Sequence, residues 1–316
     1  SELHFLSNLI AENQCVLVVG PAGIGKSSLV AKLFHQQKSC GNFEYVIWKY
    51  CSKNHPSEDI QDFQELLNIK NPNEIISFLR SHRCLICFDE IDIWLKENFS
   101  EAEDLIRNFI NTDHNSVFLF TSREPLPLIE RLIFKGRSAK SVLIEGLTAA
   151  ETQILVKSYG LSASISADLH KKYDGNPMCL HQASLNISGI YGGKIDGNLD
   201  SKSSLVGSFY RESLNSIFQS NGSQIKELEI FVLAQLVFMS GKGEIKAGEA
   251  TNNIVKLSAY SRTDVLNAIN TLQGRSLIKL DKTLKPPQII VPDFVQKYVQ
   301  LNVDNIFPQI QEQSAI

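Results

Sequence analysis

The chain has 316 residues, about twice a typical domain, with 43% hydrophobic and 21% charged residues. That balance excludes a disordered or membrane-embedded protein and calls for two or three cores. Lys plus Arg total 31 against 34 Asp plus Glu, a net charge of −3 that exerts no general pull toward nucleic acid or anionic lipid.

The apolar stretch Ile230–Met239 falls short of the ~20 residues a membrane span needs and reads as a buried helix, so no membrane partner is expected. The chain starts at Ser1 with no secretory leader, which reads as a boundary within a longer protein. Its 6 scattered cysteines fit a reduced, cytoplasmic setting. Cys84 and Cys87 lie three apart in an apolar strand, on opposite faces, and read as core thiols; the histidines show no metal-ligand spacing.

From Cys15 to about Gly146 short apolar strands alternate with helical patterns, the signature of a parallel sheet. The strands are Cys15–Val19, Tyr45–Cys51, Cys84–Phe88, Val117–Thr121 and Val142–Ile144. Leu29, Val30, Leu33 and Phe34 mark one covering helix, and Phe99, Ala102, Leu105, Ile106, Phe109 and Ile110 another. Beyond Gly146 come helical patterns at Ala149–Tyr159, Ile165–Tyr173 and Pro177–Ile190, then a Gly/Ser/Asp-rich linker within Gly192–Ser204. Helices near Leu205–Phe218, Ser223–Met239 and Arg262–Gly274 precede strands Ser276–Leu280 and Gln288–Val291 and a helix Phe294–Leu301, the order of a winged helix. The expected division is 1–146 for the nucleotide-binding domain, 147–195 helical, 196–204 linker, 205–302 winged helix and 303–316 a tail.

Gly20-Pro21-Ala22-Gly23-Ile24-Gly25-Lys26-Ser27 matches the P-loop pattern at every fixed position, between a strand and a helix. Backbone N–H groups of this loop and of Ser28 would cradle the phosphates, and Gly20, Gly23 and Gly25 are expected to adopt positive φ. Lys26 would contact the β- and γ-phosphates, and Ser27 would ligate Mg²⁺. The strand Cys84–Phe88 ends in Asp89 and Glu90, the Walker B arrangement. Asp89 would hold Mg²⁺ through water, and Glu90 would orient or deprotonate the attacking water. Asp92 reads as a loop or capping residue. A guanine-reading N-K-x-D motif is missing, so ATP or ADP is the expected ligand.

These motifs, with Thr121-Ser122-Arg123 closing a strand, Gly175-Asn176-Pro177, the segment Arg275–Ile278 and Val291-Pro292-Asp293, resemble in order and spacing the NB-ARC-type STAND ATPases. That group holds plant disease-resistance receptors, apoptotic protease-activating factors and bacterial relatives, and a bacterial member is expected. The resemblance implies an AAA+-like α/β P-loop NTPase fold followed by a helical and a winged-helix domain. It gives Arg123 a γ-phosphate-sensing role, puts Pro177 near the adenine and lets Asp293 help hold a closed state. It further implies a switch, closed with ADP and self-associating with ATP, with slow hydrolysis by Lys26, Asp89, Glu90 and Arg123, and with effector and sensor domains outside this sequence. Two departures stand out. The family's G-R loop, expected upstream of Ser1, leaves the completeness of the adenine pocket open, and Pro292 replaces the family's His. Asp293 with Gln296 also fits a capping box. The alternative is an AAA+-like DNA-binding ATPase. Residues 205–300 carry 11 Lys plus Arg against 8 Asp plus Glu, but the Ser261–Leu272 helix holds only Arg262 and Asp264, so nucleic acid is not the expected partner.

Overall fold

The computed structural model describes residues 2–51, 65, 72–97, 99–136, 138–190, 192–193 and 226–301. Two compact units emerge: 1–21 with 25–144, and 22–24 with 145–316.

In the first unit the elements run α1 (Glu2–Glu12), β1 (Cys15–Val19), α2 (Lys26–Cys40), β2 (Tyr45–Tyr50), α3 (Pro72–Ser81) and β3 (Cys84–Asp89), then α4 (Asp92–Glu97), α5 (Phe99–Asn111), β4 (Val117–Ser122), α6 (Pro127–Phe134) and β5 (Ala139–Leu143). All five strands are parallel, in the order β2-β3-β4-β1-β5. This is the AAA+-like P-loop NTPase architecture. The inner strands β1, β3 and β4 are buried at every position, as their unbroken apolar runs require when helices cover both faces. Edge strands β2 and β5 are only partly buried, and their mixed sequences reflect it.

One face of the sheet is filled by aromatic rings. Phe109 and Phe118 stack at 5.0 Å, Phe88 and Phe120 at 5.8 Å, and Trp94 is fully buried beside Phe88. Burial pushes the Cys84 thiol up to about 11 and the Cys87 thiol well above its ordinary value, so both behave as core residues, as their strand position implies.

The last strand lies at Ala139–Leu143, earlier than the Val142–Ile144 read from the sequence, because Ala139 pairs with Cys15 and Leu143 with Val19. Helices α1, α3 and α6 carry no motif and were not anticipated, although Leu6, Leu9 and Ile10, or Leu128, Ile129 and Leu132, share a buried face at helical spacing.

The second unit contains α7 (Ala149–Lys157), α8 (Ala163–Tyr173), α9 (Pro177–Ile190), α10 (Glu227–Ser240), β6 (Ile245–Lys246), α11 (Ala247–Lys256), α12 (Arg262–Gly274), β7 (Lys279–Asp281), β8 (Gln288–Ile290) and α13 (Asp293–Leu301). Its strands form an antiparallel sheet in the order β6-β8-β7. Two apolar clusters fill it, one around Leu169, Leu180 and Ile187, the other around Leu236, Ile254, Leu272 and Val295. Side-chain caps set several helix starts: Thr148 with Glu151 and Ser261 with Asp264 form capping boxes. The strand expected at Ser276–Leu280 begins only at Lys279, because Ser276 takes the left-handed conformation with φ 57°. The helix of residues 205–218, most of the linker and the tail after 302 lie outside the described residues. Among the described residues no helix is long and apolar enough to cross a membrane.

Helix α13 begins at Asp293, with the Pro292 carbonyl accepting the first helical bond from Gln296 N–H at 3.0 Å. Gln296 Nε2 donates to Val291 O at 2.8 Å and its Oε1 accepts from Ser240 Oγ at 3.0 Å.

Gly146 and Gly175 mark a backbone crossing where Leu147 N–H donates to Gly175 O at 2.8 Å. Gly175 has φ 68°, and a Cβ there would lie 2.2 Å from Leu147 O. Ala at 175 therefore meets both a conformational penalty and a backbone clash, and Gly175→Ala is expected to cost about 2 kcal/mol or more. Gly189, helical and with open space at its Cβ position, supplies the control. Gly189→Ala should leave stability unchanged or raise it by up to about 1 kcal/mol, read as the midpoint of chemical denaturation.

Candidate functional site

Strand register decides which side chains meet at the C-terminal edge of the parallel sheet, the place where open α/β sheets bind ligands. Phe88 pairs with Phe120, so the next residues, Asp89 and Thr121, share one face while the two rings enter the core on the other. Thr121 Oγ1 donates to Asp89 Oδ1, and Thr121 Oγ1 in turn accepts the Glu90 N–H at 2.9 Å. Asp89 Oδ1 also accepts from Ser27 Oγ at 2.9 Å, tying the first turn of α2 to the end of β3. Ser27 and Asp89 thus place two hard oxygen donors side by side, a donor set that fits Mg²⁺.

The loop after β1 is built for an anion. Gly23 and Gly25 have φ of 75° and 104°, inaccessible to most side chains, but Gly20 is not among the residues with positive φ, contrary to expectation. Helix α2 starts at Lys26 with no side-chain cap, which leaves its first N–H groups for a ligand. Lys26 is 6% exposed, and its Nζ donates to the carbonyls of Gly20 at 2.8 Å and Pro21 at 3.2 Å. Burial lowers its pKa; the charges of Asp92, Glu90 and Asp89 oppose that shift. Ile24 is buried and Ser28 exposed.

Glu90 sits just past β3 with φ 59°, left-handed for a residue with a side chain. Its Oε1 accepts from Arg123 Nη2 at 3.1 Å and its Oε2 from Tyr50 O–H at 2.8 Å. Burial opposes the Arg123 charge, but the Glu90 and Asp92 carboxylates outweigh it and the pKa rises above the ordinary value. Asp92, read as a loop or cap, is instead 1% exposed and accepts the Arg123 backbone N–H at 3.2 Å. It is a buried carboxylate that fixes the chain after β4. The structure therefore brings together Lys26, Ser27, Asp89, Glu90 and Arg123, and adds Thr121, Tyr50 and Asp92 to the set. Thr121 was legible in principle, one strand position after Phe120; Tyr50 was not, because it comes from a different edge strand.

In the second unit, which includes Ala22–Ile24, Asn176 caps α9 through Oδ1, accepting the N–H groups of Met178 and Cys179 at 3.2 Å each. Pro177 takes the first helical position, where its missing N–H costs nothing. Asn176 Nδ2 donates to Ala22 O at 3.0 Å, and Met178 N–H to Gly23 O at 3.3 Å.

Residues 4–126 match the NB-ARC domain family. A disease resistance protein of Arabidopsis thaliana is 28% identical over 181 residues, covering 47% of this chain; the chain spans 21% of that protein's length. Among solved structures, the Orc1 protein of Aeropyrum pernix in complex with DNA aligns over 98% of this chain and 93% of its own, with TM-score 0.41 and 15% identity. Cdc6p of Pyrobaculum aerophilum aligns over 96% and 93%, with TM-score 0.45 and 13% identity. Domain III of the Thermotoga maritima replication initiation protein DnaA aligns over 62% and 86%, with TM-score 0.43 and 12% identity.

The Thr121 hydroxyl serves two partners at once, so Thr121→Val, which keeps the shape, should lower stability by about 1–3 kcal/mol by stranding the Glu90 N–H. Thr121→Ser should stay near the parent. Equal denaturation midpoints for the Val and Ser variants would show the hydroxyl to be dispensable.

Proposed function

We propose that this chain, whose residues 4–126 match the NB-ARC domain family, is an NB-ARC-type P-loop ATPase acting as an ATP/ADP-dependent signalling switch that hydrolyses ATP slowly to reset itself. The observation that carries the reading is the convergence of the uncapped α2 start, Lys26, the Ser27–Asp89 pair and Glu90 at one edge of the parallel sheet. Loop N–H groups from Gly20 to Ser28 and the Lys26 ammonium bind the phosphates, Lys26 leaving the Gly20 and Pro21 carbonyls to do so. Ser27 and Asp89 would hold Mg²⁺, which would supply charge neutralisation on the phosphate oxygens. Glu90 orients the attacking water, and Arg123 senses the γ-phosphate.

The switch needs two states with different contacts to ADP and ATP. ADP favours a closed form, with Pro177 near the adenine and Asp293 contributing to the hold, and ATP favours an open form that self-associates. The three helices α10, α11 and α12 with the β6-β8-β7 sheet support a winged-helix assignment for the C-terminal part. Effector and sensor domains outside the chain, in a cytoplasmic protein, complete the proposal. The excess of only three basic residues over 205–300, 11 against 8, supports a protein-protein role over a DNA-reading one.

Calorimetry with ADP tests the site. Lys26→Ala should weaken binding tenfold or more, a loss of at least about 1.4 kcal/mol, and should shrink the rise in melting temperature expected of the parent with ADP. GDP should compete poorly. Unchanged ADP affinity in the variant overturns the phosphate-site reading, and a particle size that is identical with ADP and ATP overturns the switch.

A further inference from the structure

Gly20, Pro21, Ala22 and Gly23 all present carbonyls that accept hydrogen bonds, but from two sources. Those of Gly20 and Pro21 take the Lys26 ammonium, whereas Ala22 O accepts Asn176 Nδ2 at 3.0 Å and Gly23 O accepts the Met178 N–H at 3.3 Å. The middle of the loop, Ala22–Ile24, accordingly belongs with the second unit rather than with the strand and helix that flank it. Asn176 is 3% exposed, and Gly23 passes so close that a Cβ there would lie 3.1 Å from Asn176 Oδ1 and 2.8 Å from Met178 Cβ. A trans peptide is planar, with its N–H opposite its C=O. Holding Ala22 O toward Asn176 therefore turns the Gly23 N–H away from α9, and the bond from Met178 does the same for the Ile24 N–H.

We propose that Asn176 is a positioning residue for the nucleotide phosphates: its amide presets the Gly23 N–H, so affinity depends on the start of α9 as well as on the loop's own sequence. This rests on the reading of the loop after β1 as the phosphate site. The two ends of the amide divide the work. Oδ1 accepts the Met178 and Cys179 N–H groups at 3.2 Å each and starts the helix, a task that Ser or Asp performs as well. Nδ2 serves Ala22 O, and among the residues that cap helix starts well only Asn carries an acceptor and a donor on separate atoms. By resemblance the neighbouring Pro177 belongs near the adenine; the contacts of Asn176 go to the loop backbone instead. A loop whose N–H groups are already aimed loses little conformational entropy on binding, whereas a loop freed at Ala22 must be ordered by the ligand.

Calorimetry with ADP, and displacement of ADP by pyrophosphate, test this on the full chain. Asn176→Ser keeps a capping oxygen and removes the amide, while Asn176→Ala removes both. The Ser variant should bind ADP about fivefold more weakly, the equivalent of one net hydrogen bond. Pyrophosphate should weaken by the same factor, because the amide acts on the phosphate cradle and not on the base. Asn176→Ala should weaken ADP at least as much, and it alone should show the further drop in denaturation midpoint that a lost cap causes. Parent-like ADP affinity in Asn176→Ser overturns the positioning role and leaves Asn176 a helix cap. A loss of ADP affinity with pyrophosphate bound as in the parent overturns it too, since the amide would then act through the base. If Lys26→Ala binds ADP as tightly as the parent, the phosphate-site reading falls instead.

Discussion

A lysine ammonium that is 6% exposed has lost its water and must find oxygens elsewhere, and much of the first unit is arranged around that requirement. Two come from the loop itself, the carbonyls of Gly20 and Pro21. Charge comes from further away, from Asp92, Glu90 and Asp89, which oppose the downward shift that burial imposes on Lys26. An arrangement that holds a buried cation ready for phosphate costs stability while the phosphate is missing. In the proposed phosphate-bound state anionic oxygens would replace the two neutral carbonyls, which would link ligand affinity to protein stability at this site.

The carboxylates are placed by β-sheet geometry rather than by flexible loops. With Phe88 and Phe120 paired and pointing into the aromatic core, the alternation of a strand leaves Asp89 and Thr121 no choice but to face each other. The stacked rings below act as the ratchet: a one-residue slip of β3 against β4 would bury Asp89 among Phe109, Phe118 and Trp94. Glu90 lies one residue past the last regular position and pays for its orientation in left-handed backbone, held by Thr121 through its N–H. The hydrogen-bonded Asp89 and the left-handed Glu90 fit their proposed tasks, one a metal-side ligand and the other the group that orients water.

The second unit has a different logic. A close backbone crossing at Gly146 and Gly175 helps organise it, together with a buried Arg275–Glu229 ion pair at 2.9 Å and caps at Thr148, Ser162, Asn176 and Ser261 that start α7, α8, α9 and α12. Gly175 stands in a motif read from the sequence as nucleotide-related, and its local requirement is steric: φ 68° and no room for a Cβ. The Asn176 side chain between it and Pro177 is both a helix cap and a donor to Ala22 O. Short polar segments of this kind serve folding and recognition with the same atoms.

The phosphate loop, the strand ending in Asp89 and Glu90, and the Thr121-Ser122-Arg123 strand end were all legible in the sequence, because each is a local pattern whose chemistry depends on neighbours along the chain. So were most helices, where one face repeats at the helical period. Strand order, the Thr121 hydroxyl shared between Asp89 and Glu90, and the true surroundings of Asp92 were not, since hydrogen bonds between strands depend on register and leave no mark in local spacing. Tyr50 is the clearest instance. Nothing near it in the chain predicts a partner 40 residues away, and only the pairing of β2 with β3, Tyr50 beside Asp89, carries its hydroxyl to Glu90. Local sequence determined which groups could do the chemistry; the packing of strands edge to edge decided which of them meet.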